Sequence, residues 1–92
     1  MDMTEEVKVR ERYEFHYDAG HGWLRVRVDE LRALGIADRI SGYSYRAGEW
    51  AYLEEDCDSE VFVKACGGLE KERYLAVNDG DSSWIRDLEP YR

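Results

Sequence analysis

The chain has 92 residues, with 13 Lys and Arg against 21 Asp and Glu, and therefore a net charge of −8. This length indicates one domain, and its ordinary apolar content argues against disorder. The negative charge disfavours direct binding to a phosphate backbone. No apolar stretch approaches the roughly 20 residues that cross a bilayer. The first residues lack the apolar centre of a secretory signal, so a cytosolic protein without a membrane partner is expected.

The N-terminal part of the chain is predicted to contain two strands. Residues 1–6 are acidic and lack an apolar pattern, so we expect a flexible N-terminus followed by a single domain over residues 7–92. Residues 7–17 alternate between apolar and polar with a period of two, which predicts a half-buried strand. Residues 23–28 alternate in the same way after a turn that contains two glycines at 18–22.

These two strands are predicted to form a hairpin whose register follows from their apolar faces. Matching those faces places Phe15 opposite Leu24 or Val26, because a slip of one residue would turn every side chain to the other face. The opposite face is expected to point outward and to be mildly basic. Its residues are Arg12, Glu14, His16, Trp23, Arg25 and Arg27.

A short helix and a second hairpin are predicted in the middle of the chain. Asp29 is expected to cap a helix that Gly35 ends, and one further helical turn is expected over 36–40. Residues 43–45 and 50–53 have the composition of strands and are separated by a short turn that contains glycine.

The C-terminal half is predicted to add a second helix and a last strand. Asp58 is expected to cap a helix that the glycines at 67–68 end, with Glu60 in its first turn. Residues 73–77 form the next strand, and the last residues are expected to be a short strand or an extended tail. The order β-β-α-β-β-α-β predicts an α+β fold, with one small antiparallel sheet and two short helices packed on one face.

The run EWAYLEEDCDSE at residues 49–60 holds six carboxylates and no basic residue beside two large aromatic residues. Because gathering like charge costs self-repulsion, this run indicates a surface that binds a cationic partner. Acidic residues are also common in solvated loops and at helix N-termini, which is the simpler interpretation. The predicted partner-binding residues are Glu49, Trp50, Tyr52, Glu54, Glu55, Asp56, Asp58 and Glu60.

The outer face of the first hairpin supports an alternative function. Its mixture of positive charge and aromatic rings is typical of surfaces that bind single-stranded nucleic acid or a regulatory partner. Glu14 and the overall negative charge oppose this interpretation. The residues that would form this nucleic-acid face are Arg12, His16, Trp23, Arg25 and Arg27.

Metal and catalytic sites are weakly indicated. Residues 56–60 and 78–82 each resemble part of a calcium loop but lack its 12-residue pattern. His16 and His21 are the only histidines, and no nucleophile motif or phosphate-binding loop accompanies them. We therefore predict no metal, no cofactor and no enzymatic activity. Cys57 and Cys66 are predicted to be reduced thiols, because a helix between them would hold them too far apart for a disulfide.

Several short motifs resemble a group of small proteins carried by phages and plasmids. They are HGWL (21–24), LGI (34–36), IS-x-YSY (40–45) and YLEEDCD (52–58), followed by IR (85–86) and a terminal Tyr-Arg. The resemblance covers residues 13–92 and implies a mobile-element context. It implies no catalytic residues.

Small acidic proteins of such elements often inhibit host defence, as anti-CRISPR and anti-restriction proteins do. By this analogy, the expected partner is a basic host protein or nucleoprotein complex, of the Cas effector or restriction enzyme type. The carboxylates would then mimic phosphates on the DNA that the partner binds. Exposed strand edges and surplus aromatic residues leave homodimerisation open.

Overall fold

The computed structural model describes residues 12–92. The predictions for residues 1–11, including the flexible N-terminus and the start of the first strand, lie outside the described residues. The described chain forms one sheet and two α-helices, which confirms the predicted α+β fold. None of its helices has the length and apolar character needed to span a membrane.

The strands and helices follow the predicted order, and the last residues include a short strand, which is one of the two predicted alternatives. The strands are β1 (Tyr13–Tyr17), β2 (Gly22–Arg27), β3 (Tyr45–Ala47), β4 (Trp50–Glu54), β5 (Tyr74–Asn78) and β6 (Glu89–Pro90). The α-helices are α1 (Val28–Ala33) and α2 (Asp58–Ala65). Three single turns of 3₁₀-helix lie at Ala37–Arg39, Lys71–Arg73 and Trp84–Asp87.

The strand order across the sheet is β5-β1-β2-β4-β3-β6. Phe15 lies opposite Leu24, as the apolar faces of the first hairpin predict. The prediction of a wholly antiparallel sheet is wrong at one edge, where β5 runs parallel to β1 and Phe15 is paired with Ala76. A long connection that includes α2 separates these regions of the chain, and parallel strands require a crossover of that kind.

Both helices pack on the same face of the sheet, as predicted. Leu24 of β2 and Leu53 of β4 are fully buried there, because alternate residues of each strand point to this face. Leu31 of α1 and Phe62 of α2 cover them. The rings of Tyr13 and Phe62 meet edge to face with their centroids 5.4 Å apart, which joins β1 to α2.

The predicted helix caps are wrong at both helices. Helix α1 begins at Val28 and is capped from Arg27, whose backbone N–H donates to the Glu30 carboxylate at 2.9 Å, so Asp29 lies exposed in the first turn. Helix α2 is preceded by Cys57, and Asp58 is its first helical residue. Asp58 is only 1% exposed because its carboxylate turns away from the helix toward donors in the loop before β3.

The other face of the sheet, predicted to point outward, is partly covered by residues 79–90, here called the C-terminal arm. Ile85 of the arm packs with Trp23 and Tyr52 in a second apolar cluster. The ring of Trp84 lies edge to face with that of Tyr52, at 5.3 Å between centroids. The arm ends in β6, which pairs with β3 at the edge of the sheet opposite to β5.

Candidate functional site

A concave pocket of about 450 Å³ opens at one end of the sheet, beside the C-terminal arm. Ligand sites are commonly pockets of this size with aromatic walls and a few polar groups. Tyr43 stands at the pocket with 77% of its surface exposed, whereas Trp23 is almost wholly buried. The pocket is lined by His21, Trp23, Tyr43, Tyr45, Glu54, Asp56, Cys57 and Arg86.

Asp18 fixes the turn that carries His21 and also fixes the arm. Its carboxylate accepts hydrogen bonds from the backbone N–H groups of Gly20 and His21 at 2.9 and 3.0 Å. It also accepts two hydrogen bonds from the Arg86 guanidinium at 2.6 and 2.9 Å and one from the Ser83 N–H at 2.8 Å. These donors, Arg86 first, hold the pKa of Asp18 well below its usual range. The ionised carboxylate of Asp18 therefore joins two parts of the pocket lining, the turn that carries His21 and the segment that carries Arg86.

Asp58 positions the tyrosine wall from beneath. Its carboxylate accepts hydrogen bonds from the Ser41 N–H at 3.0 Å, from the Ser41 hydroxyl at 2.7 Å and from the buried Ser44 hydroxyl. Ser44 Oγ also accepts a hydrogen bond from the Glu54 N–H at 3.0 Å. Ser44 lies between Tyr43 and Tyr45 in the chain, so the buried network fixes the backbone from which both side chains project.

Glu54 and Asp56 supply the negative charge of the pocket. The Asp56 N–H donates to the Glu54 carboxylate at 3.0 Å, which bends the chain and brings the two acids to the same side. Burial, followed by the charge of Asp56, raises the pKa of Glu54. Glu54, Glu55 and Asp56 form no ion pair with any cation of residues 12–92.

The other carboxylates of the 49–60 run do not join this pocket. Glu49 lies at the far end of β4, where its carboxylate is 3.9 Å from Arg27, and Glu60 pairs with Lys64 at 3.0 Å along α2. Asp58 is buried, so its predicted exposure to a partner is wrong. Glu55 lines a separate shallow groove with Phe15, on the helix side of the sheet. Of the six carboxylates in the acidic run, two lie in the pocket, one lies beside it and three interact with other groups of the protein. They are, in that order, Glu54 and Asp56, then Glu55, then Glu49, Asp58 and Glu60.

The two aromatic residues predicted as anchors also lie away from the pocket. Tyr52 is almost completely buried beneath the C-terminal arm, so its predicted role as an exposed anchor is wrong. Trp50 is half-buried and stacks under Arg25, whose guanidinium carbon is 3.6 Å from the ring centroid, and Arg27 lies 5.2 Å from the same ring.

The proposed nucleic-acid face is interrupted by the arm. His16 is 6% exposed, because its ring nitrogens lie 2.9 Å from an Asp79 oxygen and 2.8 Å from a Glu14 oxygen. Trp23 lies beneath Arg86, whose guanidinium carbon is 5.3 Å from the ring centroid. Both residues lie on the face opposite the helices, as predicted, but the arm covers them, so their predicted exposure is wrong. Arg12 is exposed at the start of the described chain.

The sequence reasoning missed five of the residues that line the pocket, namely His21, Tyr43, Tyr45, Cys57 and Arg86. One signal for them was present. Each lining residue among residues 12–92 lies in one of four motifs already described, HGWL, IS-x-YSY, YLEEDCD and IR, which are separated along the chain. The fold brings these four motifs to one place, which the spacing alone does not predict.

Metal ligands are not gathered in the described part of the chain. No group of three or more His, Cys, Asp or Glu side chains among residues 12–92 is arranged to hold a metal ion. The two partial calcium motifs are used internally, because Asp58 accepts hydrogen bonds from Ser41 and Asp79 accepts one from the Ser83 hydroxyl at 2.7 Å.

Cys57 is exposed in the pocket and is expected to react slowly with thiol reagents. The charge of the neighbouring Asp58 raises the pKa of the Cys57 thiol, so the nucleophilic thiolate is scarce at neutral pH. In a Cys66→Ser variant, the rate of iodoacetamide alkylation should rise with a midpoint above the pKa of an ordinary cysteine thiol. A midpoint below about 7 would contradict this prediction and would indicate an activated cysteine.

Comparison of the chain with protein-family models, with curated proteins and with solved structures finds no match.

Proposed function

We propose that this protein is a non-enzymatic interaction module whose acidic pocket binds a basic surface on another protein. The observation that carries the proposal is the pocket itself, in which Glu54 and Asp56 lie beside the exposed ring of Tyr43 and form no ion pair with a cation of residues 12–92. Carboxylates that lack a partner and stand beside exposed aromatic residues are favourable contacts for arginine and lysine side chains. The net charge of −8 would also accelerate association with a positive partner at low salt.

The partner class is proposed to be a nucleic-acid-targeting host defence complex, of the Cas effector or restriction enzyme type. Such complexes hold phosphates with arginine and lysine, and carboxylates that occupy those side chains would displace the nucleic acid. The phage and plasmid resemblance of the motifs supports this choice. The same motifs supply every residue that lines the pocket. The proposed site of action is the cytosol of the host cell.

Capture followed by competition tests this function. The immobilised protein is incubated with a host lysate, and retained proteins are identified by mass spectrometry. We expect a nucleic-acid-binding protein that is eluted by raising the salt, because surface charge pairs are screened. The purified partner should then lose its labelled nucleic acid as the protein is titrated in. A partner that retains its nucleic acid at saturating protein would refute the inhibitory mechanism.

The alternative, direct binding of single-stranded nucleic acid, rests on the stacking of Arg25 and Arg27 on Trp50. Their charges are partly offset, because Arg25 lies 3.4 Å from Glu14 and Arg27 lies 3.9 Å from Glu49. We therefore expect no retention of a labelled single strand in a gel-shift titration at about 100 mM salt. Retention that is lost on changing Arg25 and Arg27 to Glu would favour the alternative.

A further inference from the structure

The rings around the pocket leave an open aromatic surface above a rigid floor. Trp23 forms the floor, and its ring lies edge to face with that of Tyr45 at 6.3 Å between centroids. His21 adds a third ring, 6.2 Å from that of Trp23. Tyr43 is highly exposed, and its backbone N–H is held by the Ser41 hydroxyl at 3.1 Å. Because Trp23 and Tyr45 are ordered by their ring contact, a flat cation received there costs little further side-chain freedom.

A guanidinium already lies against this floor. Arg86 stands over Trp23, with 5.3 Å between its guanidinium carbon and the ring centroid. Its charge is balanced by two short hydrogen bonds to Asp18. Arg86 therefore completes the wall without neutralising Glu54 or Asp56.

The charge of the pocket is complementary to one more cation. Glu54 is partly buried, and its ionised form is disfavoured by burial and by the nearby charge of Asp56. A cation bound between the two carboxylates would offset both effects. A guanidinium fits better than an ammonium, because it is flat, stacks on rings and donates two parallel hydrogen bonds to one carboxylate.

We propose that the pocket binds the side chain of a single arginine presented by the partner protein. Its guanidinium would stack against Tyr43 and Tyr45 and donate hydrogen bonds to Glu54 and Asp56. This inference rests on the proposed function, because it names the residue that the basic partner offers to the pocket.

Small probes test the pocket without any partner. N-acetyl-arginine amide is titrated into the ¹⁵N-labelled protein, with the corresponding lysine and citrulline amides as comparisons. We expect saturable shifts of the His21, Tyr45 and Cys57 amide signals, with a Kd of about 1–10 mM as befits a small ligand. Citrulline amide has a similar shape without the charge and should bind at least about tenfold more weakly. Lysine amide should be several-fold weaker than the arginine probe.

Two variants locate the probe. Glu54→Gln combined with Asp56→Asn should weaken the arginine probe at least about tenfold. Tyr43→Ala should weaken it about three- to fivefold through loss of the stacked ring. The matched controls are Asp38→Asn combined with Asp81→Asn for charge, and Leu75→Ala for an exposed apolar residue, because none of these residues lines the pocket. Both controls should bind the arginine probe as the unmodified protein does.

Three results would overturn the inference. They are no saturable shift up to about 50 mM arginine probe, equal binding of citrulline amide, and equal binding of lysine amide. None of these three results would contradict the proposed function if replacing residues 54–56 by lysine still abolishes binding to a captured basic partner. If the arginine probe binds but the captured partner binds the lysine variant as tightly as the unmodified protein, the arginine pocket stands and the proposed function is wrong.

Discussion

Replacing Glu54, Glu55 and Asp56 together by lysine is expected to abolish capture of the basic partner, with a loss of affinity of at least about 100-fold. Close charge pairs across protein interfaces contribute from about 1.5 kcal/mol upward, and reversal converts each attraction into a repulsion. These three carboxylates have no ion pair within residues 12–92, so their removal breaks none there. Affinity is measured by titration calorimetry or surface plasmon resonance against the captured partner.

The control for this variant must carry the same change in net charge. Replacing Asp38, Glu72 and Asp81 by lysine also takes the net charge from −8 to −2, since each replacement adds two units, and all three residues are exposed and outside the pocket. This control should slow association at low salt but retain most of the affinity. Circular dichroism should show both variants folded. Equal losses in the two variants would contradict a localised site and would indicate only a general effect of charge.

Asp58→Ala is expected to lower the free energy of unfolding by about 3 kcal/mol. The carboxylate is buried and accepts hydrogen bonds from the Ser41 N–H and from the hydroxyls of Ser41 and Ser44. Alanine would leave these donors without their acceptor and would open a cavity at the start of α2. Urea denaturation followed by tryptophan fluorescence measures the change. The variant should also weaken the arginine probe, because the same network holds the tyrosine wall.

Glu60→Ala provides the comparison on the same helix. Glu60 is exposed and pairs only with Lys64 along α2, so its loss should change the free energy of unfolding by less than about 0.5 kcal/mol. A second variant, Asp58→Asn, keeps the shape while removing the charge, and it should be intermediate. If Asp58→Ala were as stable as Glu60→Ala, the buried network would contribute nothing measurable to the stability of the fold.

The sequence predicted best where a local pattern decides the structure. The period-two alternation of β1 and β2 restricts the partner of Phe15 to Leu24 or Val26, because only that parity buries both apolar faces, and the structure pairs it with Leu24. Prediction from the sequence failed where contacts with distant residues override the local sequence pattern. The local pattern predicts Asp58 as the cap of α2, but it is the first helical residue, and the serines 14 and 17 residues before it offer three donors in a buried site. The parallel pairing of β5 with β1 is likewise a contact between distant segments that no local pattern contains.

The candidate site was predicted only in part for the same reason. The run 49–60 was treated as one surface, although consecutive strand residues point to opposite faces. That alternation separates Leu53, in the helix-side core, from Tyr52 and Glu54 on the other face. The residues of the C-terminal arm have no periodicity, so the IR motif singled out Arg86 but did not place it at the pocket.

The path of the C-terminal arm limits how the length of this segment can change. The arm joins β5 at one edge of the sheet to β6 at the other, five inter-strand spacings away, or about 24 Å. Ten residues separate these strands, and with one tight turn among them they reach about 30 Å. The slack amounts to at most about two residues, because the arm also rises over the face of the sheet and β6 begins at a different level along the strands from the end of β5. Insertions here should be tolerated, whereas a deletion of three residues would pull one of the two outermost strands out of register.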